Sequence, residues 1–218
     1  GGFVAPFLQP DIVWDFRLPR VRSINASGHK YGLVYPGVGW VVFREKDDLP
    51  EELIFHVSYL GGDMIDLSIN FSRPGNRILG QYYNFLMLGR DGYRRIHQTS
   101  QDVAKHLSSR IGALEPFDLI TDGSDIPVFC WTMNEEYQKT ASFTLYDIAD
   151  KLRERGWLVP AYPMPANRSD LVVQRVVVKE NLSMDLANML FEDIKRAVEY
   201  FEDRPDNKPT EGTGGFHH

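Results

Sequence analysis

Short apolar segments in the first quarter of the chain indicate extended structure. Residues 39–44 (Gly-Trp-Val-Val-Phe-Arg) are almost continuously apolar, which is typical of a strand covered on both faces of its sheet. Residues 13–16 and 20–25 also have the composition of extended segments. A short helix is expected over residues 49–53, beside Pro50. We therefore expect this part of the chain to contribute strands to a large domain.

From residue 76, apolar positions repeat at helical spacing for about 35 residues. The pattern predicts one long helix, bent or broken near Gly89 or Gly92. Tyr82, Tyr83 and Phe85 are expected to pack in a core between helices. The predicted stripe consists of Ile78, Tyr82, Phe85, Leu86 and Gly89, followed by Ile96, Val103, Ala104 and Leu107.

Beyond Pro116 the pattern predicts strand, strand, helix, strand, helix, in the order of a small α/β domain. The strands are expected at residues 117–121, 128–133 and 171–179. Thr144 and Ser183 are the expected helix N-caps, and Gly156 is expected to end the first helix. The predicted buried positions are Leu145, Ile148, Ala149 and Leu152 in the first helix, and Leu186, Leu190, Ile194, Ala197 and Phe201 in the second. After Arg204, a segment rich in proline and glycine predicts a tail that is mobile until something orders it.

Composition excludes several classes of protein. The chain has 218 residues, 43% of them hydrophobic, which suffices for a sizeable core. Its one cysteine, Cys130, cannot form a disulfide framework and is expected as a buried small residue on a strand. A net charge of −6 argues against general nucleic-acid binding, and no apolar run approaches the roughly 20 residues of a membrane helix. No cluster of metal ligands stands out.

The segment 23–32 (Ser-Ile-Asn-Ala-Ser-Gly-His-Lys-Tyr-Gly) carries the candidate chemistry. Lys30 follows a strand-like run and has His29 beside it. Reactive lysines form Schiff bases where a desolvated or electropositive site favours the neutral amine. Ser27 and Gly28 would give an anion a hydroxyl donor and close access to the backbone. These residues therefore suit a tethered cofactor aldehyde, although a solvated lysine beside a histidine with a local hydrogen bond is also compatible with the pattern.

The longer string resembles the cofactor-lysine segment of glutamate decarboxylases, which belong to the group II pyridoxal phosphate-dependent decarboxylases. It runs from Asn25 through Lys30 to residues 33–42, Leu-Val-Tyr-Pro-Gly-Val-Gly-Trp-Val-Val. Further matches occur in the family's order at residues 58–62, 69–73, 81–85 and 174–177. Because family members are substantially longer at the amino end, the chain resembles a carboxy-terminal half, and alone it is expected to be inactive.

The resemblance implies an α/β fold, the C-terminal part of a fold type I pyridoxal phosphate enzyme. The implied domains are the remainder of the large cofactor-binding domain (1–75), a long connecting helix (76–115), a small α/β domain (116–203) and a mobile tail (204–218). The cofactor is expected to be pyridoxal 5'-phosphate, and no residue of this chain is assigned to its pyridine nitrogen.

The resemblance also implies roles for individual residues. Lys30 would hold the cofactor as a Schiff base, with Ser27 and His29 contacting its phosphate; His29 would also carry a proton near the reacting carbon. Phe71 and Ser72 would reach the cofactor site of a neighbouring subunit, which implies a homodimer or larger homo-oligomer. Arg175 lies in an apolar strand segment, where burial of its charge would require an anion. In the family, the matching arginine binds the substrate α-carboxylate.

The implied reaction converts L-glutamate to 4-aminobutanoate and CO2 in the cytoplasm. The terminal Phe216 and His218 resemble a tail in which the histidine closes the site as pH rises, although the terminal histidines could also come from a purification tag. Two alternatives stay open. One is another pyridoxal phosphate lyase, such as the sphingosine phosphate type, or another amino-acid decarboxylase; the other is a folded fragment that binds no cofactor.

Overall fold

The chain forms two compact units in the computed structural model. They comprise Gly1–Arg95 and Ile96–His218. The structure describes residues 1–57, 64–67 and 73–210. The four-part division expected from the resemblance is finer than these two units and stays a prediction.

The first unit contains short elements and the beginning of a long helix. Three-residue 3-10 turns occur at Lys46–Asp48, just before the predicted short helix, and at Glu51–Leu53, within it. The other elements are α1 (Ala5–Leu8), β1 (Ser23–Ser27), β2 (Gly39–Phe43), β3 (Phe55–Val57), β4 (Met64–Asp66) and α2 (Asn76–Ile111), which continues into the second unit.

Strands β1 and β2 form an antiparallel ribbon that pairs Ser27 with Gly39. The strand predicted at 39–44 is therefore confirmed, but the described part of the chain does not cover both of its faces. The side chains of Trp40, Val41 and Val42 are 37–52% exposed. An apolar run thus identified the strand correctly without showing what covers it.

Residues 13–16 do not form the predicted extended segment. They lie in a bend, where the backbone N–H and the side chain of Arg17 both donate to Asp15. The guanidinium of Arg17 also donates to the carbonyls of Pro10 and Ile12, at 2.9 and 2.6 Å. These local side-chain bonds satisfy backbone groups that a strand would have paired.

Helix α2 has the predicted length and the predicted break. Gly89 has φ 55° and ψ −168°, which is not a helical conformation. After the break, Val103, Ala104 and Leu107 are buried as predicted. Before it, the predicted packing is wrong, because Ile78, Tyr82, Tyr83 and Leu86 are 55–67% exposed and Phe85 is 37% exposed.

The described part of the second unit contains a four-stranded antiparallel sheet and three helices after α2. The elements of this unit are β5 (Phe117–Asp122), β6 (Val128–Met133), α3 (Glu135–Gln138), α4 (Leu145–Glu154), β7 (Ala161–Pro163), a 3-10 turn (Ala166–Arg168), β8 (Val172–Val177) and α5 (Met184–Glu202). The strands lie in the order β5-β6-β8-β7. The three strands predicted here are confirmed, whereas β7, three residues long, was missed. The core of the unit includes Phe129, Trp131, Ile148, Leu152 and Ile194.

The predicted helix ends of this unit are confirmed. Thr144 and Asp147 form a reciprocal capping box, and the Ser183 hydroxyl accepts the N–H of Leu186. Gly156 follows α4 with φ 88°, a conformation that glycine adopts without steric cost. Leu186, however, is 38% exposed rather than buried, because it lies in the first turn of α5.

The described part of the tail makes contacts that the sequence did not predict. The side-chain amide of Asn207 donates to the Ser142 carbonyl at 2.8 Å. The Thr210 backbone N–H donates to Asp147 Oδ2 at 3.1 Å, and its hydroxyl donates to Asp147 Oδ1. Residues 207–210 are therefore attached to the N-terminus of α4.

Cys130 lies on β6, as predicted, but is only partly buried. Its sulfur lies 3.5 Å from Thr121 Oγ1. None of the helices in the described ranges combines the length and apolar character that crossing a bilayer requires.

Tyr137 should cause the stability of the second unit to fall at alkaline pH. Its hydroxyl donates to Glu202 at 2.6 Å, and burial, followed by this carboxylate, raises the pKa of Tyr137 well above its usual range. The neutral phenol therefore stabilises the fold below the unfolded pKa of about 10, and this contribution is lost as pH rises above it. Urea midpoints measured from about pH 8 to 11 should fall less in Tyr137→Phe than in the parent. Equal falls would contradict this.

Candidate active site

The turn that carries Lys30 begins where β1 ends. Gly28 N–H donates to the Val38 carbonyl at 3.1 Å, Lys30 N–H donates to the Ser27 carbonyl at 3.3 Å, and Val34 N–H donates to the Gly28 carbonyl at 3.3 Å. Lys30 is exposed, whereas Gly28 is buried. We refer to residues 28–34 as the lysine turn. It presents the amine outward from a backbone that is fixed on its inner side.

Two glycines of this turn leave no room for a side chain. A Cβ atom on Gly28 would lie 2.7 Å from Val38 Cγ1 and 2.8 Å from Gln81 Oε1. A Cβ atom on Gly32 would lie 2.5 Å from the Gly28 carbonyl oxygen and again 2.8 Å from Gln81 Oε1. Only glycine therefore lets the turn pack this closely on itself and on helix α2.

Three polar side chains of α2 bind the inner side of the lysine turn. Gln81 Nε2 and Tyr93 Oη donate to the Gly32 carbonyl at 2.8 and 3.0 Å, and Gln81 Nε2 also lies 2.9 Å from Tyr93 Oη. Asn84 Nδ2 donates to the Leu33 carbonyl at 2.7 Å. Leu33 has φ 63°, in the left-handed region that a leucine rarely adopts. The helix therefore fixes the turn where its backbone is least usual.

These contacts were missed because helical spacing directed attention to the apolar residues of α2. Gln81 and Tyr93 are fully buried, whereas their neighbours Tyr82 and Tyr83 are about 60% exposed. Burial raises the pKa of Tyr93, and the hydrogen bond with Gln81 partly opposes this. Tyr93 therefore stays a neutral donor at ordinary pH. The sequence did carry one signal of these contacts, which is the spacing of Gln81 and Asn84 three residues apart on one helix.

The side chains near Lys30 differ in exposure. Ser27 is partly buried at the end of β1, and His29 is exposed in the turn. The structure thus brings Ser27, His29 and Lys30 together in one short segment. Their contacts with a cofactor stay predictions.

Arg175 lies on β8 in the second unit, where the burial that would have required an anion is not observed. The residue is exposed, with its guanidinium carbon 5.9 Å from the centre of the Tyr162 ring. Side chains alternate between the faces of a strand, so its neighbours Gln174 and Val176 are buried instead. A cavity of about 670 Å³ in this unit is lined by other described residues, including Asp118 and Arg168. Phe71, Ser72 and His218 lie outside the described residues, and their predicted roles are untested.

Residues 1–134 match the family model described as the pyridoxal-dependent decarboxylase conserved domain. A glutamate decarboxylase of Aliivibrio fischeri is 50% identical over 221 residues, which cover 100% of this chain and 47% of that protein. The beta glutamate decarboxylase of Listeria innocua is 50% identical over 199 residues, which cover 91% of this chain and 42% of that protein. The chain thus spans about half the length of these relatives.

Solved structures of related proteins agree with this match. A Lactobacillus brevis glutamate decarboxylase superposes with a TM-score of 0.85 at 47% identity, over 93% of this chain and 45% of that one. A sphingosine-1-phosphate lyase of Burkholderia pseudomallei superposes with a TM-score of 0.75 at 24% identity, over 94% of this chain and 45% of that one. The second likeness concerns the fold alone. The expected α/β fold class is confirmed.

Proposed function

Because this chain belongs to the pyridoxal-dependent decarboxylase family, we propose that it forms part of an enzyme that converts L-glutamate to 4-aminobutanoate and CO2. The observation that carries the proposal is the lysine turn, in which an exposed amine lies on a backbone packed too closely for any residue but glycine at positions 28 and 32. The activity is proposed for a protein of the relatives' length, about twice that of this chain.

The residues of the lysine turn fit pyridoxal phosphate. Lys30 offers an exposed amine for its aldehyde, on a turn whose inner side is packed against α2. Ser27 and His29 can donate hydrogen bonds to a phosphate. When bound, this cofactor supplies an electron sink for the charge left on the α-carbon as CO2 departs.

Arg175 is proposed to bind the α-carboxylate of the substrate. A guanidinium is a planar fork that matches a carboxylate with two parallel hydrogen bonds. The exposure of Arg175, and its lack of a carboxylate partner among the described residues, leave it available to an anion. Fixing the carboxylate also orients the bond to be broken, which favours loss of CO2 over loss of the α-proton.

Further proposals concern the assembled enzyme. Phe71 and Ser72 would complete the site of a neighbouring copy in a homodimer or larger homo-oligomer, and His218 would close the site as pH rises. The reaction replaces CO2 by a proton and so consumes acid. We therefore propose a role in 4-aminobutanoate synthesis and acid resistance, and we place it in the cytoplasm as the resemblance implies.

The test uses the full-length protein that contains this chain, loaded with pyridoxal phosphate. We would supply glutamate, aspartate and aromatic amino acids separately, and measure the CO2 and the amine that each releases. Glutamate should be preferred, with equal amounts of CO2 and 4-aminobutanoate. Preference for an aromatic amino acid, or no amine from any substrate, would exclude glutamate decarboxylation. The 218-residue chain, assayed in parallel, should be inactive.

Replacing Arg175 by lysine should raise the KM for glutamate by at least about tenfold, because a point charge replaces a two-pronged contact. Steady-state kinetics of the full-length enzyme would measure this. Arg168→Lys is the matched control, since Arg168 is also exposed but pairs with Asp170 at 3.6 Å. If both variants keep the parent KM, Arg175 does not bind substrate.

A further inference from the structure

Gln81 and Tyr93 reach the same carbonyl from positions twelve residues apart on α2. On a continuous helix, a separation of twelve residues corresponds to about 18 Å along the axis. Their side-chain atoms are nevertheless 2.9 Å apart. The break at Gly89 lies between them, with a backbone conformation that is essentially restricted to glycine. The break therefore allows both side chains to meet at Gly32.

Among the described residues, the side-chain amide of Gln81 makes hydrogen bonds only as a donor. Its Oε1 is buried and has no hydrogen-bond partner among the described residues. A buried acceptor without a partner is costly, and an apolar side chain of the same length would avoid that cost. What an apolar residue cannot do is donate to the Gly32 carbonyl. The donor is therefore the property that accounts for glutamine at this position.

We propose that Gln81 and Tyr93, brought together by the break at Gly89, are positioning residues for Lys30. Their shared hydrogen bonds hold the Gly32 carbonyl, and Asn84 holds the next carbonyl along the turn. The lysine turn is thereby kept in one conformation, with the Lys30 amine presented for reaction. This inference rests on the proposed function, in which Lys30 bonds to the cofactor aldehyde.

The test follows the bonding of Lys30 to pyridoxal phosphate rather than turnover. The full-length enzyme would be stripped of cofactor and mixed with pyridoxal phosphate, with the visible absorbance recorded over time. Borohydride reduction and peptide mapping would then identify the labelled lysine. Gln81→Met should slow bonding about tenfold, and Tyr93→Phe should slow it less, since Gln81 still donates to Gly32. The double variant should slow bonding by more than the product of the two single effects, because the Gly32 carbonyl then loses both donors.

Gln101→Met is the matched control. Gln101 is a buried glutamine on the same helix, and its side-chain amide donates to the carbonyl of Ser124. Both residues belong to the second unit. Gln101→Met should lower the unfolding temperature about as much as Gln81→Met does, and it should leave unchanged the rate at which Lys30 bonds to pyridoxal phosphate. The inference is overturned if Gln81→Met bonds as fast as the parent or no slower than Gln101→Met. If Gln81→Met does not fold, the comparison of Tyr93→Phe with Gln101→Met decides in the same way. A parent enzyme with no labelled Lys30 would instead refute the proposed function.

Discussion

Replacing Lys30 by arginine in the full-length enzyme should abolish covalent retention of pyridoxal phosphate and lower decarboxylation on the order of 1,000-fold or more. A guanidinium stays protonated and cannot form the Schiff base that holds the aldehyde. Borohydride reduction followed by peptide mapping should label residue 30 in the parent and nothing in the variant. The visible absorbance of the bound cofactor should be lost in parallel.

The fold should survive this change. Lys30 is exposed, and its amine donates to no acceptor among the described residues, so the unfolding temperatures of the variant and the parent should stay close when both are free of cofactor. Lys46→Arg, at an exposed position in a 3-10 turn, is the control for lysine replacement as such and should keep full activity. Undiminished labelling in Lys30→Arg would show that the cofactor is attached to another residue.

Replacing Asp147 by alanine should lower the free energy of unfolding of the second unit by about 2–4 kcal/mol. Its carboxylate accepts the backbone N–H of Thr144 at 2.7 Å and the Thr144 hydroxyl at 2.9 Å, and it also binds the backbone and side chain of Thr210. The substitution removes the Asp147 half of the capping box and the hydrogen bonds between Asp147 and Thr210 together. Urea denaturation followed by circular dichroism would measure the loss.

Asp147→Asn should lower the free energy of unfolding less than Asp147→Ala does, because one side-chain oxygen remains to accept hydrogen bonds. Asp150→Ala removes the same charge from an exposed position three residues farther along α4, and it should change stability by less than about 0.5 kcal/mol. A comparable loss in Asp150→Ala would attribute the effect to charge near the helix start rather than to these hydrogen bonds.

Local signals account for the features that the sequence predicted well. The capping box of Thr144 and Asp147, the break at Gly89 and the strand that leads into Lys30 each depend on residues close together in the chain. Short-range hydrogen bonds and glycine conformations determine such features, so one sequence suffices to recognise them.

Burial depends on distant contacts and was predicted less well. Helical periodicity shows which residues share a face but not which face is covered. Tyr82 was expected in a core and is 59% exposed, whereas the polar Gln81 beside it is fully buried. Gln81 is buried because its partner, Gly32, lies 49 residues earlier in the chain. The same limitation explains the exposure of Arg175, which lies on the outward side of β8.

The two units differ in how they are held together. The large apolar cluster lies within residues 103–201, whereas the lysine turn contributes one buried apolar side chain, Tyr31, and is held by a two-stranded ribbon and by hydrogen bonds to one helix. A segment with few buried apolar contacts opens at a lower free energy than a packed core. A ligand that binds only the closed turn opposes this opening by mass action. Cofactor occupancy would then govern how long the lysine turn resists a protease, so that scarcity of pyridoxal phosphate would shorten the lifetime of the polypeptide as well as lower its activity.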